Sequence, residues 1–250
     1  MTFIRKTSIS RVEAEKITLR GTPIENLIGN CSYGEVLYLL LLGKLPTLNQ
    51  AKMLEAIIIS VIDHGVKPPS TIAAVTVANT GASLNSSVAA GILAINEFHG
   101  GAIEKAMSAI GEAVKLQTTE GLDATQAAEK IVSKYKEQGA RISGFGHRFH
   151  AADPRTVRLF EFAKELGIAG KFIEQAEVLE KVLSEKSGKH LPINADGAIA
   201  ACLLEMNFPP KIANGIFMIA RTPGLVAHAV EEQANHPPMR TVEVENYEFE

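Results

Sequence analysis

Apolar side chains recur along most of this chain at three- and four-residue spacing, the period that gathers them on one face of an α-helix. The clearest case is 49–64, where Leu54, Ile57, Ile58 and Val61 fall on one stripe and Gly65 follows as a stop. The same pattern predicts an apolar helix over 34–42, stopped by Gly43 and Pro46, and helices at about 102–117, 124–138, 155–166, 169–186, 193–206 and 210–234. Pro23 opens a short helix through Leu27. Between 68 and 96 small residues (Ala73, Ala74, Ala78, Gly81, Ala89, Gly91) occupy many faces, which predicts one crowded, buried helix or two in succession. Residues 2–22 alternate β-branched and polar side chains, as a hairpin or extended arm does. With no βαβ alternation and no internal repeat, the expected fold is all-α.

Composition narrows the class. A 250-residue chain that is 46% hydrophobic supports one large domain or two modest ones with a real core. A formal charge of −3 carries no footprint for nucleic acid or an anionic membrane. Cys31 and Cys202 lie far apart in apolar surroundings, as buried thiols of a reducing compartment do, and not as a disulfide framework or cysteine-rich zinc site. The first residues mix Arg5, Lys6 and Arg11 with Glu13 and Glu15 and lack the apolar run of a secretory signal; the run 36–42 is too short to span a bilayer. A soluble, cytoplasmic protein is expected.

The chemistry concentrates in Gly144-Phe145-Gly146-His147-Arg148, followed by Asp153-Pro154-Arg155. Two glycines allow a tight turn close to a ligand, and Asp153 can cap a helix that begins with Pro154. A proton-transfer group, a carboxylate-binding group and a helix N-terminus thus lie within a dozen residues. Asp196, near the start of an otherwise apolar helix, reads equally as a dipole-stabilised acid or a general base. Arg221 interrupts an apolar run and needs a buried anion, either a substrate carboxylate or Glu231 or Glu232. His64 and His99 stand before Gly65 and Gly100, whereas His228 reads as a hydrogen-bonded core histidine. His64, His99 and His147 lack the pairwise spacing of a zinc site, so no metal is expected.

Taken together, these segments resemble the citrate synthase superfamily over nearly the whole chain. The matching pieces are Arg20 to Leu27, Tyr38 to Pro46, His64 before Ser70-Thr71, His99-Gly-Gly-Ala102, Gly144 to Arg148 with Asp153-Pro-Arg155, Asn194-Ala-Asp196, and Arg221-Thr-Pro-Gly224 with Ala227-His228. The short length, Asp63-His64-Gly65, and Ile103 after Gly-Gly-Ala resemble the citryl-CoA lyase branch and the citryl-CoA-cleaving module of ATP-citrate lyase.

The resemblance implies an all-α homodimer with a large helical part, about 1–100 and 209–250, and a smaller closing part, about 101–208. It implies His99, His147 and Asp196 as the catalytic trio and His64, Arg155 and Arg221 as dicarboxylate binders, with Arg240 completing the partner subunit's site. Coenzyme A, a thioester substrate and not a bound cofactor, would rest on Gly144, Phe145, Gly146 and Arg148, with phosphate contacts from some of Arg141, Arg148, Lys186 and Lys189. The implied reaction is cleavage of citryl-CoA to acetyl-CoA and oxaloacetate, in possible pairing with a citryl-CoA synthetase. The alternatives are a citrate or 2-methylcitrate synthase, a lyase active only with a partner subunit, and a non-catalytic paralogue that binds CoA or dicarboxylate.

Overall fold

The computed structural model describes residues 6–146 and 153–240, and these are mostly helical as expected. Strands β1 (Ser10–Glu13), β2 (Lys16–Leu19) and β3 (Thr22–Pro23) form a small antiparallel sheet in that order, with Val12 opposite Ile17. The hairpin is the one the alternation predicts; the two-residue third strand carries no pattern of its own. Helices α1 (Ile24–Leu27), α2 (Tyr33–Leu42) and α3 (Leu48–Ser60) follow. α3 stops earlier than its apolar stripe predicts, because Asp63 accepts the Gly65 amide at 2.8 Å and this local turn replaces the next helical bonds.

The small-residue stretch resolves into two helices, α4 (Pro69–Asn79) and α5 (Leu84–Leu93), divided at Gly81, which has φ of +82°. Then come α6 (Ala102–Glu120), α7 (Ala124–Glu137), α8 (Pro154–Glu165), α9 (Lys171–Ser187) and α10 (Ala195–Glu205). A single 3-10 turn at Pro210–Ile212 leads into α11 (Ala213–Asn235), where the sequence pattern predicts continuous helix.

The chain divides into two compact units. One comprises Met1–Ser60 and Ala102–Ala213; the other comprises Val61–Gly101 and Asn214–Glu250. The first is built around α10, which packs on α6, α8, α9 and α3 and is buried from Ala198 to Leu203. A helix apolar on every side suits such a central position, and Ala198, Ala200 and Ala201 let neighbouring backbones approach. In the second unit α4 packs on α5, and Gly91 makes room for it: a Cβ there would lie 2.9 Å from both the Ser70 carbonyl and the Leu225 side chain. Among the described residues, no helix is long and apolar enough to cross a membrane.

Glu205, in the last turn of α10, joins that central helix to α9. Its Oε1 accepts the amides of Gly170, Phe172 and Ile173 at 3.0, 2.8 and 3.0 Å, so one carboxylate satisfies three donors at a helix start that has no side-chain cap of its own. Glu205→Ala should cost about 2 kcal/mol, read as a lower urea midpoint at unchanged slope. A midpoint equal to that of the wild type would show that water replaces the carboxylate without loss.

Candidate active site

In the first unit the segment around Gly144 is fastened to the start of α10 by backbone bonds. Gly146 N donates to Pro192 O at 2.7 Å, Asn194 N donates to Gly144 O at 3.0 Å, and Phe145 bridges Ile193 in antiparallel fashion. The Asn194 side chain works in both directions. Its Nδ2 donates to Gly146 O at 2.9 Å, and its Oδ1 caps α10 by accepting the amides of Asp196 and Gly197 at 3.0 and 3.2 Å. Asp196 is therefore held in the first turn of α10, half-buried.

Two glycines make this fastening possible. A Cβ on Gly197 would run into the Gly144 carbonyl oxygen, and one on Gly144, whose φ is +89°, would lie 2.8 Å from Gly197 Cα and 2.9 Å from Ala106 Cβ. Asp153 adds a third tie. It caps α8 by accepting the Arg155 amide at 3.0 Å, grips the Arg155 guanidinium at 3.0 and 2.8 Å, and accepts the Ala195 amide at 3.2 Å. Burial opposes its charge, but the bonds from Arg155 and Ala195 outweigh burial and hold its carboxyl below the usual range. Its share of stability is thus complete above about pH 4 and lost as pH falls through the lowered folded value. Thr156 completes the junction by donating to Ile193 O at 3.1 Å. Arg155 also lines a cavity of about 560 Å³ between α3 and α8, together with Glu55, Arg158 and Phe162.

In the second unit His99 sits in a tight turn closed by exchanged backbone bonds with Asn96, at 2.8 and 3.0 Å. Gly100, at φ of +89°, leaves room for the Phe217 ring, on whose face or edge His99 packs at right angles with centroids 5.6 Å apart. His99 Nε2 lies 2.8 Å from the hydroxyl of fully buried Ser70. Burial, then the charges of Arg221 and His64, push the imidazole below its ordinary value, so it is neutral at pH 7. Arg221 is buried; its Nε donates to Val61 O at 3.0 Å and its guanidinium lies 5.1 Å from the Phe217 ring centroid. His64 is exposed, on the turn after α3.

Arg240 meets Glu232 of its own chain, Nε to Oε1 at 2.5 Å and Nη2 to Oε2 at 3.0 Å, and the buried Glu232 also accepts Asn79 Nδ2 at 3.0 Å. His228 is hydrogen-bonded, as its sequence context predicts, but to Asp63 at 3.0 Å in a half-buried position and not in the core. Arg141, Lys186 and Lys189 are exposed. His147 and Arg148 lie outside the described residues. The pairings of Ser70 with His99, of Asp63 with His228 and of Glu232 with Arg240 are ones that sequence reasoning misses: Glu232 reads as a partner for Arg221, and nothing local marks the pairing of Ser70 with a histidine 29 positions away.

Gly197→Ala tests the fastening. The added methyl must displace the Gly144 backbone, so amide resonances over 143–146 should shift while the rest of α10 stays folded, and any activity depending on Asp196 should fall about a hundredfold. Unperturbed amides with full activity would remove the glycine contact from the account.

Residues 2–55 and 48–242 match the family described as citrate synthase, C-terminal domain. Among solved structures, the chain is 41% identical to citryl-CoA lyase from Hydrogenobacter thermophilus, with a TM-score of 0.90 over 99% of this chain and 95% of that one. ATP citrate lyase from Methanothrix soehngenii, solved with citrate and coenzyme A, shares the fold at a TM-score of 0.85 and 24% identity, over 100% of this chain and 42% of that one. ATP-citrate synthase subunit 1 of Sordaria macrospora is 25% identical over 245 residues, which are 91% of this chain. The chain spans only 35% of that relative's length. On the match across nearly all of its residues, the chain belongs to the citrate synthase family.

Proposed function

We propose that this chain cleaves citryl-CoA to acetyl-CoA and oxaloacetate. The observation that carries the reading is the likeness, at 41% identity and almost end to end, to a citryl-CoA lyase of nearly the same length. Cleavage needs a base for the tertiary hydroxyl, a partner for the thioester enolate, and an acid for the carbon released.

His147 takes the hydroxyl proton as the ketone of oxaloacetate forms and the carbon–carbon bond breaks. The electron pair passes into the thioester enolate. His99, kept neutral by burial and by the charges of Arg221 and His64, donates a hydrogen bond to the enolate oxygen. With Ser70 donating to Nε2, the imidazole proton sits on Nδ1 and is available for that bond. Asp196 delivers a proton to the methylene carbon, giving the methyl group of acetyl-CoA; in condensation it would act as the base.

His64, Arg155, Arg221 and Arg240 hold the free carboxylates. Gly144, Phe145, Gly146 and Arg148 support coenzyme A, which takes part as a substrate thioester. Closure of 101–208 over the substrate excludes water and protects the thioester from hydrolysis. The active form is a homodimer in which Arg240 exchanges Glu232 for a substrate carboxylate of the partner's site, and a separate citryl-CoA synthetase supplies the substrate. The unpaired, buried Cys202 fits a reducing cytoplasm.

Purified protein given citryl-CoA should release oxaloacetate and acetyl-CoA in equal amounts, with little free CoA. Citrate plus free CoA would instead mean thioester hydrolysis and move the chain to the synthases. Asp196→Asn should lower turnover by at least about a thousandfold, and Arg240→Ala should weaken oxaloacetate binding. Mixed dimers of these two variants should recover part of the activity, because one of their two sites would carry both residues; mixtures that stay inactive would rule out the cross-subunit role.

A further inference from the structure

One stripe of α11 holds three successive residues of the turn that follows α3. Arg221 donates from Nε to Val61 O at 3.0 Å. Gly224, one turn on, lets the helix backbone come close to the next residue: a Cβ there would lie 2.5 Å from Ile62 O and 2.9 Å from Asp63 Oδ1. His228, a further turn on, places Nε2 3.0 Å from Asp63 Oδ1. Positions 221, 224 and 228 share one helix face by spacing alone. The residue after this gripped run is His64.

Asp63 converts the grip into a fixed turn. While Oδ1 faces His228, Oδ2 accepts the Gly65 amide at 2.8 Å, and Gly65 takes φ of +74°. Burial opposes the charge on Asp63, but the Gly65 amide, His228 and the His64 amide together hold its carboxyl below the usual range. The carboxylate thus binds the backbone on both sides of the His64 Cα. An ordinary ion pair at a site this exposed, with the Asp63 side chain 39% accessible, contributes little to stability. What this pair determines is the conformation of three residues. Glu231 also lies near the ring, its Oε2 3.9 Å from His228 Nδ1.

We propose that His228 is a positioning residue for His64, acting through Asp63 to fix the Asp63–His64–Gly65 turn. A bond from Nε2 selects and orients the Asp63 carboxylate, and the carboxylate in turn sets the backbone from which His64 projects. The inference rests on the reading of His64 as a binder of a substrate carboxylate.

The test compares His228→Leu, which removes the donor, with His228→Gln, whose amide nitrogen reaches nearly as far as Nε2. His228→Asn, which is polar but too short, serves if the leucine variant does not fold. Two readouts separate this inference from the function on which it rests. In amide NMR spectra of the whole chain, His64 and Gly65 should shift and exchange faster in His228→Leu, and return toward wild type in His228→Gln. By calorimetry, His228→Leu should weaken oxaloacetate binding about tenfold, the worth of one charge-assisted hydrogen bond, and kcat should change much less than KM. In a His64→Ala background the same substitution should have no further effect on binding.

Unchanged His64 and Gly65 amides in the leucine variant would overturn the inference. So would a tenfold loss that persists in the His64→Ala background, since His228 would then act by another route. If the wild type fails to bind oxaloacetate, or His64→Ala binds it equally well, the assigned role of His64 falls. The amide shifts and their rescue by glutamine then decide the positioning on their own.

Discussion

The contact between Gly144 and Gly197 is the constraint on which the first unit's chemistry depends. It brings the backbone of a glycine turn against the first turn of a central helix, at a separation no side chain allows. Once that approach is made, the other ties follow within hydrogen-bond distance: Asn194 to Gly144 and Gly146, Asp153 to Ala195, Thr156 to Ile193. Each tie uses a main-chain group at or beside the start of α10 or in the Gly144–Gly146 turn, and the Ala195 amide is one that the helix itself leaves unsatisfied. The same bonds that complete the caps therefore locate Asp196, and the residue after Gly146 begins the segment that contains His147. Position in the site is inherited from helix capping.

The second unit reaches its geometry by different means. There α11 supplies Phe217, Arg221, Gly224 and His228 along its length, and these meet the turns that carry His64 and His99. The cation of Arg221 near His99 has an electrostatic consequence beyond packing. It adds to burial in disfavouring imidazolium, which leaves a neutral ring able to donate one hydrogen bond. Ser70, buried in α4, lies 2.8 Å from Nε2 of that ring.

Two of the arginines assigned to carboxylate binding are engaged by carboxylates of the chain itself, Arg155 by Asp153 and Arg240 by Glu232. A ligand carboxylate at either position would have to share or displace that partner. The two cases differ. Asp153 is almost fully buried and tied to two helix ends, so Arg155 is a pre-oriented guanidinium with Asp153 as its permanent support. Glu232 is also buried, but Arg240 reaches it from a segment beyond the end of α11 and is itself exposed. Exchange there requires another donor for Glu232, and Asn79 already supplies one.

Much of this was legible in the residues. Apolar spacing located the helices and Asp153-Pro154 marked the start of α8, because period and capping chemistry act over a few residues and leave local signatures. The motifs at His99, Gly144–Arg148 and Arg221 carried the family in the same way. Other features belong to pairs of residues far apart in sequence, and no local pattern records them. Ser70 against His99, Asp63 against His228, and Gly144 against Gly197 exist only when the chain is folded. Likewise, the apolar stripe of α3 favours helix through residue 64, yet Asp63, bound by Gly65 and by His228 from α11, ends the helix early. Local spacing determined which segments are helical; only tertiary contact, by pairing distant polar groups and bringing glycine backbones together, decided how His64, His99 and Asp196 are held.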